Sequence, residues 1–110
     1  MKIVRTHPYE RKVSKLLSAA EIQAAEDEIV THPERWPVVQ GTGGIRKARA
    51  AKGSTGKSGG ARIMYYFWSN KGRIYLLDIY AKNEKEDITA ADKKKLRDAV
   101  QLLKEIENES

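Results

Sequence analysis

Three cationic residues are spaced so that they would lie on one face of a β-sheet. Lys47 and Arg49 stand two positions apart in a segment that favours a strand, and such side chains leave the same face. If this strand pairs with the next one across a glycine-rich loop, Arg62 lies beside them. Three cations on one face could bind and polarise a phosphodiester. The alternative is that an exposed edge strand carries the charges to prevent aggregation.

Two residues near the end of the last predicted strand could contact the same ligand. Tyr80 could stack on a base or donate a hydrogen bond, and Lys82 could neutralise a phosphate. Each also has a purely structural interpretation. Tyr80 could be a half-buried strand aromatic, and Lys82 could be a solvated strand end.

The charge of the chain is unevenly distributed. Of 21 basic and 15 acidic residues, residues 35–77 hold nine basic residues and no acidic one. Such a surplus repels itself in a compact domain unless a polyanion binds to it. Since phosphate contacts dominate the affinity of proteins for nucleic acids, this segment indicates a nucleic-acid partner.

A glycine-rich loop in this segment invites comparison with nucleotide-binding loops. It contains the tripeptide GKS at 56–58, but the Walker pattern needs a glycine where this chain has Ala51. That pattern also leads into a helix, whereas a β-hairpin is predicted here. We interpret residues 52–60 as a hairpin loop whose lysines, Lys52 and Lys57, pass close to a ligand.

Periodicity and capping signals predict an α+β domain with the element order β-α-α-β-β-β-α. The predicted strands are residues 2–6, 45–51, 61–68 and 73–81. An N-terminal α-hairpin follows the first strand, and its second helix begins at a capping box formed by Ser18 and Glu21. A C-terminal helix begins after Thr89, with an apolar stripe of Leu96, Ala99, Val100, Leu103 and Ile106. We expect a mainly antiparallel sheet with helices mostly on one face.

Composition limits the classes of function. The 110 residues predict a single domain spanning residues 1–110. The absence of cysteine excludes disulfides, thiol nucleophiles and cysteine zinc sites, and His7 and His32 lack partners at metal-ligand spacing. No apolar run approaches the roughly 20 residues of a membrane span, and the first residues do not resemble a secretory signal. We expect a cytoplasmic protein without a cofactor or a metal.

Several short motifs occur together between residues 40 and 100. They are the run GTGGIRKAR at 41–49, the lysine–glycine loop, GARIMYY at 60–66, YAKNE at 80–84 and a helix opened by Asp87, Ile88 and Thr89. In combination they resemble the RelE superfamily of toxins from bacterial type II toxin–antitoxin systems, and particularly its HigB-like branch. The resemblance implies a compact, RelE-like α+β fold.

The resemblance also implies an activity. Better-known members enter the ribosomal A site and cut messenger RNA there without a metal, by attack of a ribose 2′-OH on the adjacent phosphate. By position, the residues that match the catalytic cations are Lys47, Arg49, Arg62 and Lys82. The residues expected to bind RNA around them are Arg46, Lys52, Lys57, Arg73 and Tyr80. Many relatives have a second arginine where this chain has Asn83.

The partners implied by the resemblance are the ribosome, messenger RNA and a cognate antitoxin. That antitoxin would carry a helix-turn-helix domain, as in HigA-like proteins, and would bring the complex to operator DNA. A second hypothesis remains open, because one fold hosts several functions. The chain could be a RelE-fold inhibitor without ribonuclease activity, either a ParE-like gyrase poison or a degenerate binder of RNA or the ribosome.

Overall fold

The chain forms a four-stranded sheet with helices packed on both faces. The computed structural model describes residues 1–51, 60–84 and 88–109. The strands are β1 (Lys2–Arg5), β2 (Ile45–Ala50), β3 (Ala61–Trp68) and β4 (Arg73–Ala81). The helices are α1 (His7–Leu16), α2 (Ala19–Thr31) and α3 (Ala90–Glu109), and a 3-10 turn, Ser69–Lys71, joins β3 to β4. The predicted α+β class and element order are confirmed.

The strands are arranged in the order β1-β4-β3-β2. The pairs β2–β3 and β3–β4 are antiparallel, and β1 pairs with β4 in parallel, so the sheet is mainly antiparallel as predicted. A parallel pair needs a long connection, and here α1, α2, β2 and β3 all lie between the two strands in sequence. Strand β3 is central, which agrees with its apolar residues on both faces.

The alternation of side chains along β3 divides the core into two clusters. Ile63 and Tyr65 face the first core, which packs against α1 and α2. Met64 belongs to the second core, which lies under α3. Two of the three helices therefore share one face, as expected, and α3 covers part of the other face.

Helix α3 begins as predicted but its apolar stripe is shorter. The Thr89 N–H donates to Asp92, and the Asp92 N–H donates to the Thr89 hydroxyl, so the start signal operates as a capping box. Leu96 and Val100 are buried in the second core, whereas Ile106 is 54% exposed. The prediction for Ile106 was wrong because a helix turns through about 100° per residue, which places Ile106 about 80° away from Leu96 around the axis.

A β-bulge shifts the register in the middle of β4. Tyr65 pairs with Leu76, but its neighbour Met64 pairs with Asp78, so Leu77 is the extra residue. Thr6 stabilises this bulge from outside the sheet, since its hydroxyl donates to the carbonyl oxygens of Leu76 at 2.8 Å and Leu77 at 3.1 Å. Thr6 thereby keeps two carbonyl groups hydrogen-bonded where the bulge interrupts the ladder.

A buried carboxylate joins the N-terminal strand to both N-terminal helices. Glu26 of α2 is only 4% exposed, and it accepts hydrogen bonds from Arg5 at 2.6 Å and from the Tyr9 hydroxyl at 2.7 Å. Burial raises the pKa of Tyr9 well above its ordinary value, and the hydrogen bond to Glu26 raises it further. A charge in this position is stable only while both partners are present.

We expect the substitution Glu26→Ala to lower the free energy of unfolding by about 3 kcal/mol, because it leaves a buried tyrosine hydroxyl unpaired and removes the carboxylate from Arg5. The measurement is urea denaturation of the purified protein. Glu28→Ala is the matched control, since Glu28 lies on the same helix and forms an exposed ion pair with Arg35. That control should cost less than about 1 kcal/mol, and equal losses for the two variants would contradict the prediction.

Candidate nucleic-acid interface

The pairing of β2 with β3 brings the three predicted cations together. Arg49 lies directly opposite Arg62, and Lys47 lies opposite Met64. Opposed residues on paired strands share a face, with Cβ atoms about 5 Å apart. We call Lys47, Arg49 and Arg62 the cationic face, and it occupies the same side of the sheet as α3.

The opposition of Arg49 and Arg62 within the cationic face is electrostatically unfavourable in isolation. Like charges directly opposite each other destabilise a sheet. Arg49 is exposed, and the Arg62 guanidinium makes one 3.3 Å hydrogen bond to the Ala61 carbonyl. Within residues 1–51, 60–84 and 88–109, no carboxylate forms an ion pair with either arginine. Such an arrangement has capacity to bind an anion between the two guanidinium groups.

Tyr80 is on the cationic side of the sheet, but its ring is buried. It stands opposite Arg62 across β3 and β4, and it is only 5% exposed because it packs in the second core with Met64 and Ile88. A covered ring has no free face for a base, so the stacking contact predicted for Tyr80 was wrong. The structural interpretation, a strand aromatic, describes Tyr80 better.

Lys82 lies where the hairpin loop returns to the sheet. It is exposed and follows the last residue of β4, and its N–H donates to the Gly60 carbonyl oxygen at 3.2 Å. Gly60 has φ +84°, and a Cβ built there would meet the Ala50 carbonyl oxygen at 2.5 Å. The hydrogen bond therefore ties Lys82 to the strand that begins with Arg62, and only glycine fits at its acceptor residue.

Arg46 does not join the cationic face. It pairs in register with Tyr65, on the first-core side of the sheet. Its guanidinium donates to the Trp36 carbonyl oxygen at 2.6 Å and to the Glu34 carbonyl oxygen at 3.1 Å. Arg46 thus makes a structural contact in place of the predicted RNA contact. Because side chains alternate along a strand, Arg46 had to lie on the face opposite to that of its neighbour Lys47.

Arg73 is also away from the cationic face. It pairs with Trp68, six residues along β3 from Arg62, which corresponds to about 20 Å. Its guanidinium forms an ion pair with Glu107 of α3, and that hydrogen bond lowers the pKa of the Glu107 carboxyl. The RNA contact predicted for Arg73 is therefore not brought to the site. The loop residues Lys52 and Lys57 lie outside the described residues.

The part of the chain that the structure describes contains neither a candidate metal site nor a membrane-spanning helix. No group of three or more His, Asp or Glu side chains there could hold a metal ion. In the same residues, no helix is both long enough and apolar enough to cross a membrane.

The fold and the cationic face agree with a known family over the whole chain. A family model described as "RelE toxin of RelE / RelB toxin-antitoxin system" matches residues 1–110. The chain belongs to this RelE family. It is therefore the toxin of a toxin–antitoxin system, and its partner is a cognate antitoxin.

An acidic residue, Asp78, borders the cationic face of this RelE-family toxin. The β4 bulge puts Asp78 opposite Met64, in the row of the sheet that also contains Lys47. Its carboxylate accepts from the Lys12 ammonium and from the Ile79 N–H, both at 2.9 Å. Lys12 is 66 residues away in sequence, so no local signal could have revealed this pair.

An apolar groove adjoins the toxin's cationic face. Its volume is about 380 Å³, and it lies between the second-core side of β4 and helix α3. Residues that line it include Met64, Leu77, Tyr80, Leu96 and Leu102. A mainly apolar wall offers few hydrogen bonds to phosphate, so an RNA backbone is expected on the β2 side of the face, where Arg49 is exposed.

We expect Gly60→Ala to destabilise this toxin by more than about 2 kcal/mol. The positive φ disfavours any side chain, and the Ala50 carbonyl oxygen leaves no space for a Cβ. Gly72→Ala is the matched control, because Gly72 has φ +62° but nothing within 4 Å of its Cβ position, and it should cost about 1 kcal/mol. Thermal melts of both variants check this, and equal losses would show that space at Gly60 is unimportant.

Proposed function

We propose that this toxin is a ribosome-dependent, metal-independent endoribonuclease that cuts messenger RNA and so inhibits translation. The observation that carries the proposal is the opposition of Arg49 and Arg62, with Lys47 beside them on the same face. The cost of gathering like charges is offset when a phosphodiester binds among them. Membership of the RelE family supports the same conclusion.

The proposed reaction is an intramolecular transfer at phosphorus. The ribose 2′-oxygen forms a bond to the adjacent phosphorus while the bond from phosphorus to the 5′-oxygen breaks. The products are a 2′,3′-cyclic phosphate and a free 5′-hydroxyl, and a proton passes from the 2′-OH to a base and from an acid to the leaving oxygen. Negative charge grows on the nonbridging oxygens, and fixed cations stabilise it most effectively.

Each cation has a proposed place in this reaction. Arg49 and Arg62 hold the nonbridging oxygens from opposite sides, since guanidinium groups bind phosphate in a bidentate manner. Lys47 lies two positions along β2 from Arg49 and stabilises the developing charge, while Lys82 neutralises a flanking phosphate. We retain Lys52 and Lys57 of the hairpin loop as RNA-binding residues of the proposal.

The proposal also includes the place where the toxin acts, its branch of the family and the kind of antitoxin that it binds. The toxin acts in the cytoplasm, in the A site of a translating ribosome, and it belongs to the HigB-like branch of the family. Its antitoxin carries a helix-turn-helix domain of the HigA-like kind, which takes the complex to operator DNA. The support is the resemblance of residues 40–100, including the run at 41–49 that precedes and forms β2.

A second candidate function is inhibition without RNA cleavage, through gyrase or through passive binding of the ribosome. The observation that favours it is the burial of Tyr80 beside a face that otherwise carries cations. Cations stabilise charge, but the reaction also needs groups that accept and donate a proton. The product formed in cells separates the two functions.

The first test is primer extension on messenger RNA after brief induction of the toxin without its antitoxin. We expect cuts within translated codons that disappear when translation is blocked. Growth arrest with intact messenger would overturn the nuclease proposal, and arrest with DNA damage would support gyrase poisoning.

The site is tested by Arg62→Gln and Lys47→Gln. Each should reduce messenger cleavage at least about 100-fold, because one charge-stabilising donor in an active site contributes on this order. The control is Arg35→Gln, which removes an exposed, carboxylate-paired arginine and should leave cleavage unchanged. Full toxicity of a folded Arg62→Gln/Lys47→Gln double variant would show that the cationic face is not needed for the reaction.

A further inference from the structure

Helix α3 carries a line of cations on one flank. Lys93, Arg97 and Lys104 are separated by four and seven positions, which places them within about 40° of one another around the axis. Along the axis, Arg97 is about 6 Å and Lys104 about 16 Å from Lys93. We call these three residues the α3 stripe.

The groups that contact the α3 stripe are uncharged. Arg97 donates to the Gly41 carbonyl oxygen at 2.7 Å, and the Lys93 side chain passes 3.7 Å from the Cβ position of Gly41. The Lys104 ammonium lies 5.2 Å from the centroid of the Tyr66 ring. The hydrogen bond of Arg97 and the ring contact of Lys104 orient these two cations without neutralising them.

The α3 stripe has no carboxylate partners among the residues that the structure describes. Gly41 and Tyr66, which lie against this flank, belong to the sequence segment 35–77, which contains no acidic residue. On the outer side of the same helix, by contrast, Lys94 is paired with Asp98 at 3.1 Å. Since Lys93 and Arg97 repel each other at a spacing of four residues, stability of the helix does not explain the stripe.

The α3 stripe borders the strand that carries the cationic face. Tyr66, under Lys104, pairs with Ile45 at the start of β2, and Lys47 follows two positions later on the same side. Gly41, which accepts the hydrogen bond from Arg97 and lies near the Lys93 side chain, belongs to the loop that leads into this strand. The α3 stripe and the cationic face therefore lie next to each other on one side of the molecule.

We propose that the α3 stripe is a second RNA-binding surface, which contacts the phosphate backbone of structured ribosomal RNA while the cationic face holds the messenger. This inference rests on the proposed function, because it names a further contact of the same ribosome complex. A line of fixed cations suits a regular series of phosphates, whose recognition requires charge and position but no base contact.

An acidic protein partner fits this flank less well. Protein interfaces have an apolar centre, and the exposed apolar side chains of α3 are on the other flank, with Leu102 57% and Ile106 54% exposed. Leu102 is about 180° around the axis from Lys93, so a protein that covers Leu102 would leave the α3 stripe open.

The test is the binding of purified ribosomes to the toxin over a series of salt concentrations, with Arg62→Gln present throughout to prevent cleavage. The variant Lys93→Gln/Arg97→Gln/Lys104→Gln should bind at least about 10-fold more weakly at low salt. The slope of log K against log salt should fall by about 2 to 3, because each lost phosphate contact removes about 0.7 to 0.9 from it. Circular dichroism melts establish that the variant is folded.

The matched control is Arg11→Gln/Arg35→Gln/Lys94→Gln, which changes the net charge equally, and in which Arg35 and Lys94 are already paired with carboxylates. It should keep most of the affinity and of the salt slope. Equal losses of affinity and salt slope in both variants would show that net charge alone causes the effect, and would overturn the proposal. Normal ribosome binding with weakened antitoxin binding would also overturn it and make the stripe a protein surface. A reduced salt slope here, together with intact messenger after induction of the toxin with Arg62 unchanged, would support the surface and reject the nuclease.

Discussion

The register between β2 and β3 is the constraint on which the arrangement of this molecule depends. Ala48 and Ala50 are buried toward α2, and they alternate with Lys47 and Arg49 on the other face. A slip of one residue would turn the alanines outward and drive an ammonium and a guanidinium into the apolar core. The same packing that stabilises the domain thus keeps the cations together, although their mutual repulsion opposes it.

Polar contacts far apart in sequence hold the N-terminal segment against this sheet. Thr6 satisfies two carbonyl groups at the β4 bulge, and Glu26 connects Arg5 of β1 with Tyr9 of α1. The parallel strand β1 is short, so these contacts and the apolar packing of the α-hairpin stabilise it together. The bulge has a direct effect on the site. With an unbroken ladder from Trp68 and Arg73, Arg62 would face Ile79, whereas the bulge puts Tyr80 opposite Arg62.

The three sides of α3 have different physical characters. One flank carries the α3 stripe, the inner side packs Leu96 and Val100 into the second core, and the remaining flank exposes Leu102 beside an apolar groove. An elongated polyanion and a protein require different surfaces, because one is bound mainly through charge and the other through apolar contact. The toxin of a toxin–antitoxin pair has an antitoxin as its partner, and in our proposal it also binds RNA. Separate surfaces on α3 are consistent with these two kinds of partner.

Local patterns determined much of this protein. The strand segments, the capping boxes at Ser18 and Thr89 and the grouping of Lys47, Arg49 and Arg62 all follow from alternation and short-range hydrogen bonding, which act between residues near in sequence or one hairpin apart. Only the tertiary structure decided the burial of Tyr80, the ion pair of Arg73 with Glu107 and the position of the buried Glu26. Each of these depends on a bulge, or on a contact between residues 17 or more positions apart. A strictly alternating pattern of side chains along a strand does not show where a residue is inserted. The propensity of a residue for strand or helix does not show which distant side chain will lie opposite it.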